Sequence, residues 1–148
     1  MMSKLFLVCA MLLLVVAVNA DKTKKEGKSK KEHSKPVPCT CGIFLSGQLK
    51  KGSKDSPKGD PVLTQELDTH FAHNSIGQRQ CANKCLENMI KHLPKSADII
   101  CATVDRDVRK EKALLFTKNY DATWINSNMS AGRDFCCKDN VPYKCPLM

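Results

Sequence analysis

Eight cysteines constrain the fold of this chain more than any other feature. Nine cysteines occur among the 148 residues, and one of them, Cys9, lies in an apolar N-terminal segment. An even set in a small exported chain predicts a disulfide framework, because oxidising compartments form and keep such bonds. Zinc ligation and thioredoxin-type redox chemistry fit the spacing poorly, since no finger-type His pair and no Cys-x-x-Cys motif occurs. The eight are Cys39, Cys41, Cys81, Cys85, Cys101, Cys136, Cys137 and Cys145.

The N-terminal segment predicts export. Residues 1–20 combine one positive charge (Lys4), an apolar run and the triplet Val18-Asn19-Ala20. Small residues at the first and third positions of that triplet are typical of a signal-peptide cleavage site, so we predict cleavage after Ala20. The apolar run of about 14 residues is shorter than the roughly 20 that a bilayer span requires. We therefore expect a secreted, extracellular protein without a membrane span.

The segment after the signal peptide is strongly basic. Residues 21–38 are predicted to be a disordered tail, followed by a cysteine-rich domain over residues 39–148, because residues 21–35 offer no apolar side chain to bury. The whole chain carries a formal charge of +9. The tail can be a solvated spacer that keeps the domain soluble; if it binds, acidic glycans or acidic matrix proteins are the expected partners, since export argues against nucleic acid. The lysines concerned are Lys22, Lys24, Lys25, Lys28, Lys30, Lys31 and Lys35.

The pattern of the domain predicts an α+β fold stapled by disulfides. Ile43-Phe44-Leu45 predicts a short strand. A clear amphipathic helix is predicted over Ile76–Leu93, ended by Pro94, and a second helix over Val104–Asn119. The region from Trp124 onward is expected to be irregular. The helical spacing of the first helix is carried by Ala82, Cys85, Leu86, Met89, Ile90 and Leu93.

These elements suggest a disulfide pairing. Cys39 and Cys41 on one strand share a face, and Cys81 and Cys85 share a face one helical turn apart. We therefore hypothesise that the pair 39/41 bonds to the pair 81/85. Cys101 then takes either of the adjacent Cys136 and Cys137, and Cys145 takes the other.

A search for chemistry yields no catalytic, cofactor-binding or metal-binding residue. His70 and His73, near Glu66 and Asp68, lie in a polar segment that favours solvated surface over a metal site. GQLKKGS at Gly47 lacks the lysine that a phosphate-binding loop places directly after its second glycine. The calcium-loop start at Asp105 lacks later oxygen ligands. Asn128 begins the sequon Asn-Met-Ser, which predicts N-glycosylation at the surface, and Trp124 is expected to be core packing.

Four blocks in order resemble the insect follicle cell protein 3C family over nearly all of residues 38–148. They are CTCGIFLSGQLKKGSK, CANKCLENMIKHLP, IICATVDRD and WINSNMSAGRDFCCKDNVPYKCPL. The resemblance implies secretion by the ovarian follicle cells that build the eggshell, and it supplies no catalytic residue. We expect a non-enzymatic matrix or eggshell-associated protein with a binding or structural role.

Two other function classes remain as alternative hypotheses. Basic charge and cysteine density also suit a secreted defence or venom-like polypeptide, although the tail lacks the apolar face that membrane-active helices need. A secreted hydrolase with an unrecognised site is the third hypothesis.

Overall fold

One antiparallel sheet organises residues 37–50 and 56–147, the part of the chain that this computed structural model describes. Its strands are β1 (Val37–Leu45), β2 (Leu63–Glu66), β3 (Val108–Tyr120), β4 (Ile125–Lys138) and β5 (Val141–Pro142). They lie in the order β2-β1-β3-β4-β5, and every pair of neighbours is antiparallel. The first strand therefore lies between the second and the third.

Two α-helices in the described residues pack on this sheet. They are α1 (Ser75–Ile90) and α2 (Ser96–Thr103), with short 3-10 turns at Ser46–Gln48 and Leu93–Lys95. Helix α1 contacts β1 and β3, and α2 contacts β4 and β5. The Asn74 side chain caps α1 by accepting hydrogen bonds from the backbone N–H groups of Ile76 and Gly77, at 3.0 and 2.9 Å. This satisfies donors that the first turn of a helix otherwise leaves free.

The predicted helix over Ile76–Leu93 has different bounds and a different buried face. It ends at Ile90, before the 3-10 turn that contains Pro94. Leu86, Ile90 and Leu93 were expected to be buried but are 36%, 50% and 38% exposed. Two cysteines of α1 are bridged directly to β1, which holds the helix close to the sheet and favours small side chains at the contact. The buried residues of α1 are Gly77, Cys81, Ala82, Cys85 and Met89.

The predicted α+β class is wrong, because strands dominate the described residues. The main error is the second helix predicted over Val104–Asn119, most of which forms β3. This strand pairs with β1 on one side and β4 on the other. From Ala113 to Thr117 it is buried or half-buried on both faces, so its apolar residues run continuously and do not alternate. Pairing on both edges overrides the helix propensity of its Lys, Glu and Leu residues.

The region after Trp124 was expected to be irregular and instead forms β4 and β5. The pairing of β3 with β4 shifts register in several places. Asn128 and Gly132 have φ angles of 60° and 72°, the left-handed conformation found at some β-bulges. Pro142 lies in the edge strand β5, where a missing N–H is tolerated. A bulge interrupts the alternation of apolar and polar residues by which a strand is recognised in a sequence.

The sheet buries side chains on both faces. On the face that carries the helices, one cluster surrounds Cys41, Cys85 and Leu115, and a second surrounds Leu45, Ile100 and Phe135. The opposite face of β1 and β3 carries Phe44 and Phe116, whose ring centroids are 5.1 Å apart and which are 0% and 2% exposed.

Several predictions concern residues outside the described part of the chain. These are the signal peptide over residues 1–20, including Cys9, and the lysines between residues 22 and 35. Strand β1 includes Val37 and Pro38, which were predicted to belong to the tail. Among the described residues, no helix is long and apolar enough to cross a membrane.

Candidate functional site

Two parallel disulfides join strand β1, which lies between β2 and β3, to helix α1. Cys39 bonds to Cys81 with a Cα–Cα distance of 5.6 Å, and Cys41 bonds to Cys85 with a distance of 5.4 Å. The cysteines of each pair lie on one face of their element, because strand side chains alternate and helix positions four apart are adjacent. All four residues are 0% exposed. The bridges therefore form part of the core beneath α1.

The adjacent Cys136 and Cys137 of β4 bond in different directions. Cys137 joins Cys101 of α2, and Cys136 joins Cys145 in the C-terminal segment. Neighbouring residues of a strand point to opposite faces, so the two thiols cannot serve the same partner element. Each helix is thus tied covalently to the sheet, and so is the chain end after β5.

The sulfur atoms of these bridges also account for the one cluster of metal-ligand type among the described residues. Cys39, Cys81 and Cys85 bring their sulfur atoms within 4.8 Å of one another. All three belong to disulfides, and a metal-binding cysteine must be a free thiolate. The cluster is therefore a product of two neighbouring bridges.

The histidine candidates are separated by the fold. His73 lies just before α1, and its Nε2 is 2.9 Å from Oδ2 of Asp121 in the connection between β3 and β4. Its ring stacks on Tyr120 with centroids 4.3 Å apart. His70, Glu66 and Asp68 are not gathered with His73 within ligand distance. Sequence proximity did not reveal the partner of His73, because Asp121 is 48 residues away.

The Gly47 segment, which resembles a phosphate-binding loop, uses its backbone amide inside the protein. The N–H of Gly47 donates to Glu111 Oε2 at 2.8 Å, and Arg106 Nη2 donates to the same oxygen at 2.9 Å. Burial by itself raises the pKa of Glu111, but the hydrogen bonds from Arg106 and Gly47 lower it by more, so this pKa lies below its ordinary value. A carboxylate of the chain thus occupies the position that a phosphate would need.

Trp124 covers the sheet face opposite the helices. Its ring meets Phe44 edge-on with centroids 5.3 Å apart, and the Lys118 ammonium lies 4.3 Å from the ring centroid. A Cβ atom at Gly42 would lie 2.6 Å from this ring, so the residue beneath the indole must be glycine. Trp124 is half-buried and acts as a packing residue on this face.

A polar cleft lies beside the N-terminus of α1. It has a volume of about 300 Å³ and includes residues from α1, the end of β3 and the start of β4. Asn119 is 4% exposed; its Nδ2 donates to the carbonyl of Ala72 at 3.1 Å, while its Oδ1 is buried without a partner among the described residues. The lining residues are His73, Asn74, Ser75, Gln78, Asn119, Asp121 and Ile125.

An apolar groove lies on the same face of the sheet, near the C-terminal end of α1. Two adjoining cavities of about 60 and 110 Å³ share Ile43, Met89, Leu93, Ala113 and Ala131 in their lining. Small residues of β3 and β4 leave this space under the helix. Leu86 and Ile90, whose side chains are partly exposed, line the second cavity.

Comparison with known proteins gives two matches that agree. The family model described as the follicle cell protein 3C C-terminal domain matches residues 28–148. Among curated proteins, the chain is similar to follicle cell protein 3C-1 of Drosophila melanogaster, with 49% identity over 117 residues. That alignment covers 79% of this chain and 40% of the Drosophila protein, so the chain spans well under half the length of that relative. No solved structure matches the chain significantly.

Proposed function

The chain belongs to the follicle cell protein 3C family, and on that basis we propose that it is a secreted, non-enzymatic component of the matrix deposited around the egg. The observation that carries the proposal is the family match over residues 28–148, which includes all eight cysteines of the bridges. A covalent frame of this kind suits a protein that persists in an oxidising extracellular environment.

The proposed secretion is also consistent with the position of the glycosylation sequon. Asn128 is exposed, at a bulge of β4 with a positive φ angle. An acceptor asparagine must be accessible, so this placement supports modification. A mass decrease of the secreted protein on enzymatic deglycosylation, absent from Asn128→Gln, is the expected result. Equal masses for the treated and untreated protein would contradict the modification.

Antibody staining of ovaries and laid eggs tests the proposed location. Signal in follicle cells during eggshell deposition, followed by signal in the finished shell, is expected. Strong signal in many tissues with none in or near follicle cells would refute the eggshell assignment. Extraction from the shell with and without a reducing agent then shows whether disulfides hold the protein in the matrix.

We further propose that the lysine-rich tail retains the protein on acidic glycans or acidic matrix proteins. Seven lysines within residues 22–35 precede β1, which begins at Val37. Lysine is a compact point charge without a directional fork, so the attraction must be weakly selective and sensitive to salt. Polyanions are the extracellular partners that such a segment attracts most strongly.

Heparin chromatography tests this part of the proposal. The mature protein, beginning at Asp21, is expected to elute at higher salt than a shortened protein that begins at Pro36. A matched control keeps the tail length and replaces its seven lysines with glutamine, and it should elute with the shortened protein. Equal retention of all three proteins would show that the surface of the folded part carries the binding.

A further inference from the structure

We propose that the apolar groove between α1 and the sheet binds the hydrocarbon chain of a free fatty acid, and that Arg133 at its rim holds the carboxylate. The groove consists of the two adjoining cavities of about 60 and 110 Å³. An engineered cavity of about 150 Å³ with a similar aliphatic and aromatic lining stays dry and binds benzene. The residues that line both cavities are Ile43, Met89, Leu93, Ala113 and Ala131.

The lining of the groove is accessible from solvent. Ile43 and Ala131 on the sheet are half-buried. Leu86, Ile90 and Leu93, from α1 and the turn after it, are 36%, 50% and 38% exposed. Apolar side chains that are exposed together leave water when an apolar ligand covers them, and this burial drives binding. The groove is therefore an open site and not a sealed gap in the core.

The floor of the groove favours a hydrocarbon over a peptide. Ile43 and Ala113 lie on β1 and β3, and each of these strands has a neighbouring strand on both of its edges. A peptide in the groove therefore could not add a strand to them, and burying its polar backbone groups without partners would be costly. A hydrocarbon chain has no polar group to satisfy.

A cationic side chain lies at one end of the groove. Arg133 Nη2 donates to the carbonyl of Leu93 at 2.9 Å and also to Ser96 Oγ. Its guanidinium lies 5.3 Å from the ring centroid of Phe135. Leu93, Ser96 and Phe135 all line the smaller cavity. These three contacts place the positive charge of Arg133 at the mouth of that cavity.

This charge is available to a ligand. Arg133 is exposed and forms no ion pair with another described residue. The adjacent Asp134 is paired with Lys112 at 3.0 Å. Among the described residues, none of those that line either cavity is acidic. A negatively charged head group is therefore attracted to the rim and meets no like charge in the lining.

An aliphatic carboxylate matches both parts of the site. Its chain buries apolar surface in the groove, and its head group fits the planar fork of N–H donors that arginine presents to carboxylates. The groove lies between a helix and the sheet, so it takes one chain at a time. It lacks the broad apolar face with which a protein lies on a membrane. The ligand is therefore a free fatty acid and not a bilayer surface.

The test is an NMR titration of the ¹⁵N-labelled mature protein with hexanoate, octanoate and decanoate, each below the concentration at which it forms micelles. Saturating shifts are expected for the amide signals of Ile43, Met89, Leu93 and Ala131. Each added methylene should tighten binding by about two- to fourfold until the groove is filled. Absence of saturating shifts, or an affinity that does not depend on chain length, would overturn the proposal.

Two controls separate the groove from the lysine-rich tail and from membranes. The protein whose seven tail lysines are replaced with glutamine should bind decanoate as tightly as the wild type; loss of binding would assign the fatty acid to the tail. The same protein should not float with vesicles of phosphatidylcholine and phosphatidylglycerol. Flotation without NMR shifts from the monomeric fatty acids would identify a membrane surface as the partner and refute the proposal.

Two substitutions test the two parts of the site. Ala131→Leu fills the groove and should weaken decanoate binding at least tenfold without lowering the melting temperature, because filling a cavity is usually stabilising. The control Ala102→Leu lies at an exposed position of α2 outside the lining and should bind like the wild type. Unchanged decanoate affinity in Ala131→Leu would refute the groove as the site.

Arg133→Gln should weaken octanoate binding about threefold, the effect of an exposed ion pair, and leave the binding of uncharged 1-octanol unchanged. Arg79→Gln makes the same change at an exposed position of α1 outside the lining and should alter neither affinity. Equal octanoate affinities of wild type and Arg133→Gln, or an equal loss for octanoate and 1-octanol, would refute the assigned role of Arg133.

Discussion

The two disulfides between β1 and α1 should stabilise the protein cooperatively. We consider two double substitutions, Cys39→Ala with Cys81→Ala and Cys41→Ala with Cys85→Ala, and the variant that combines them. Either bridge alone holds the strand to the helix, so the loss of one leaves the long intervening loop closed. Alanine suits these positions because all four residues are 0% exposed, and a serine would bury an unpaired hydroxyl.

Chain entropy gives the magnitude of the effect. A closed loop with a sequence separation of 42 residues reduces the entropy of the unfolded chain by an amount equivalent to about 4 kcal/mol. When one bridge is present, the second closes only a ring of about six residues, equivalent to about 2 kcal/mol. Removing either bridge should therefore cost about 2 kcal/mol and removing both about 6 kcal/mol, which exceeds the sum of the single costs by about 2 kcal/mol.

Equilibrium unfolding in urea measures these free energies, with Trp124 fluorescence and far-UV circular dichroism as probes. Loss of buried sulfur atoms adds a packing cost to each variant, which largely cancels in the double-mutant cycle. Cys136→Ala with Cys145→Ala is the matched control: its loop has a separation of 9 residues and does not overlap the loops closed by the two bridges to α1, so its cost of about 2.5 kcal/mol should add to theirs. Additive costs for the two bridges to α1, within about 0.5 kcal/mol, would refute the reasoning.

Three further substitutions test single contacts. Glu111→Gln removes a carboxylate whose pKa is raised by burial but lowered by more through Arg106 and Gly47, so that it lies below its ordinary 4.5 in the folded protein. The ionised carboxylate therefore stabilises the fold above pH 4.5 and loses this contribution as the pH falls through the folded pKa, so the difference in unfolding free energy between the wild type and the variant should vanish in acid. A difference that stays constant with pH in urea unfolding would argue against this. Gly42→Ala places a Cβ 2.6 Å from the Trp124 ring; it should cost about 1–3 kcal/mol and change the tryptophan emission, and wild-type emission and stability would contradict the close contact. Asn74→Ala removes the cap of α1 and should lower the unfolding free energy by about 1 kcal/mol, with Asn74→Ser recovering most of it; no difference between the two variants would count against the cap.

The sequence pattern predicted which cysteine pairs meet, but it did not predict the sheet. The hypothesised link between the pair 39/41 and the pair 81/85 depends on the side-chain periods of a strand and a helix, which are intrinsic to the backbone. The structure resolves it into Cys39–Cys81 and Cys41–Cys85. The choice between Cys136 and Cys137 as the partner of Cys101 could not be made from spacing, because it depends on which face of β4 meets α2.

The fold class was mispredicted because both long strands lack a clean alternation. Strand β3 is buried on two faces in its apolar part, and β4 is interrupted where Asn128 and Gly132 take positive φ angles. Strand β3 also pairs with β1, which joins residues that are distant in sequence, such as Cys41 with Thr117. Local propensity cannot report such non-local hydrogen bonding, so the charged stretch before Leu114 resembled a helix.

The polar cleft could not have been found from the sequence for a related reason. Its walls come from the turn before α1 and from the two strands that meet at Asp121. Only the pairing of β1 with β3 and the bridges to α1 bring His73 within 2.9 Å of that carboxylate. The same bridges fix α1 on the sheet, and Gln78 of that helix is held to Thr117. The covalent frame therefore does more than stabilise the fold: it fixes the position of α1, and with it the residues of this helix that line the cleft.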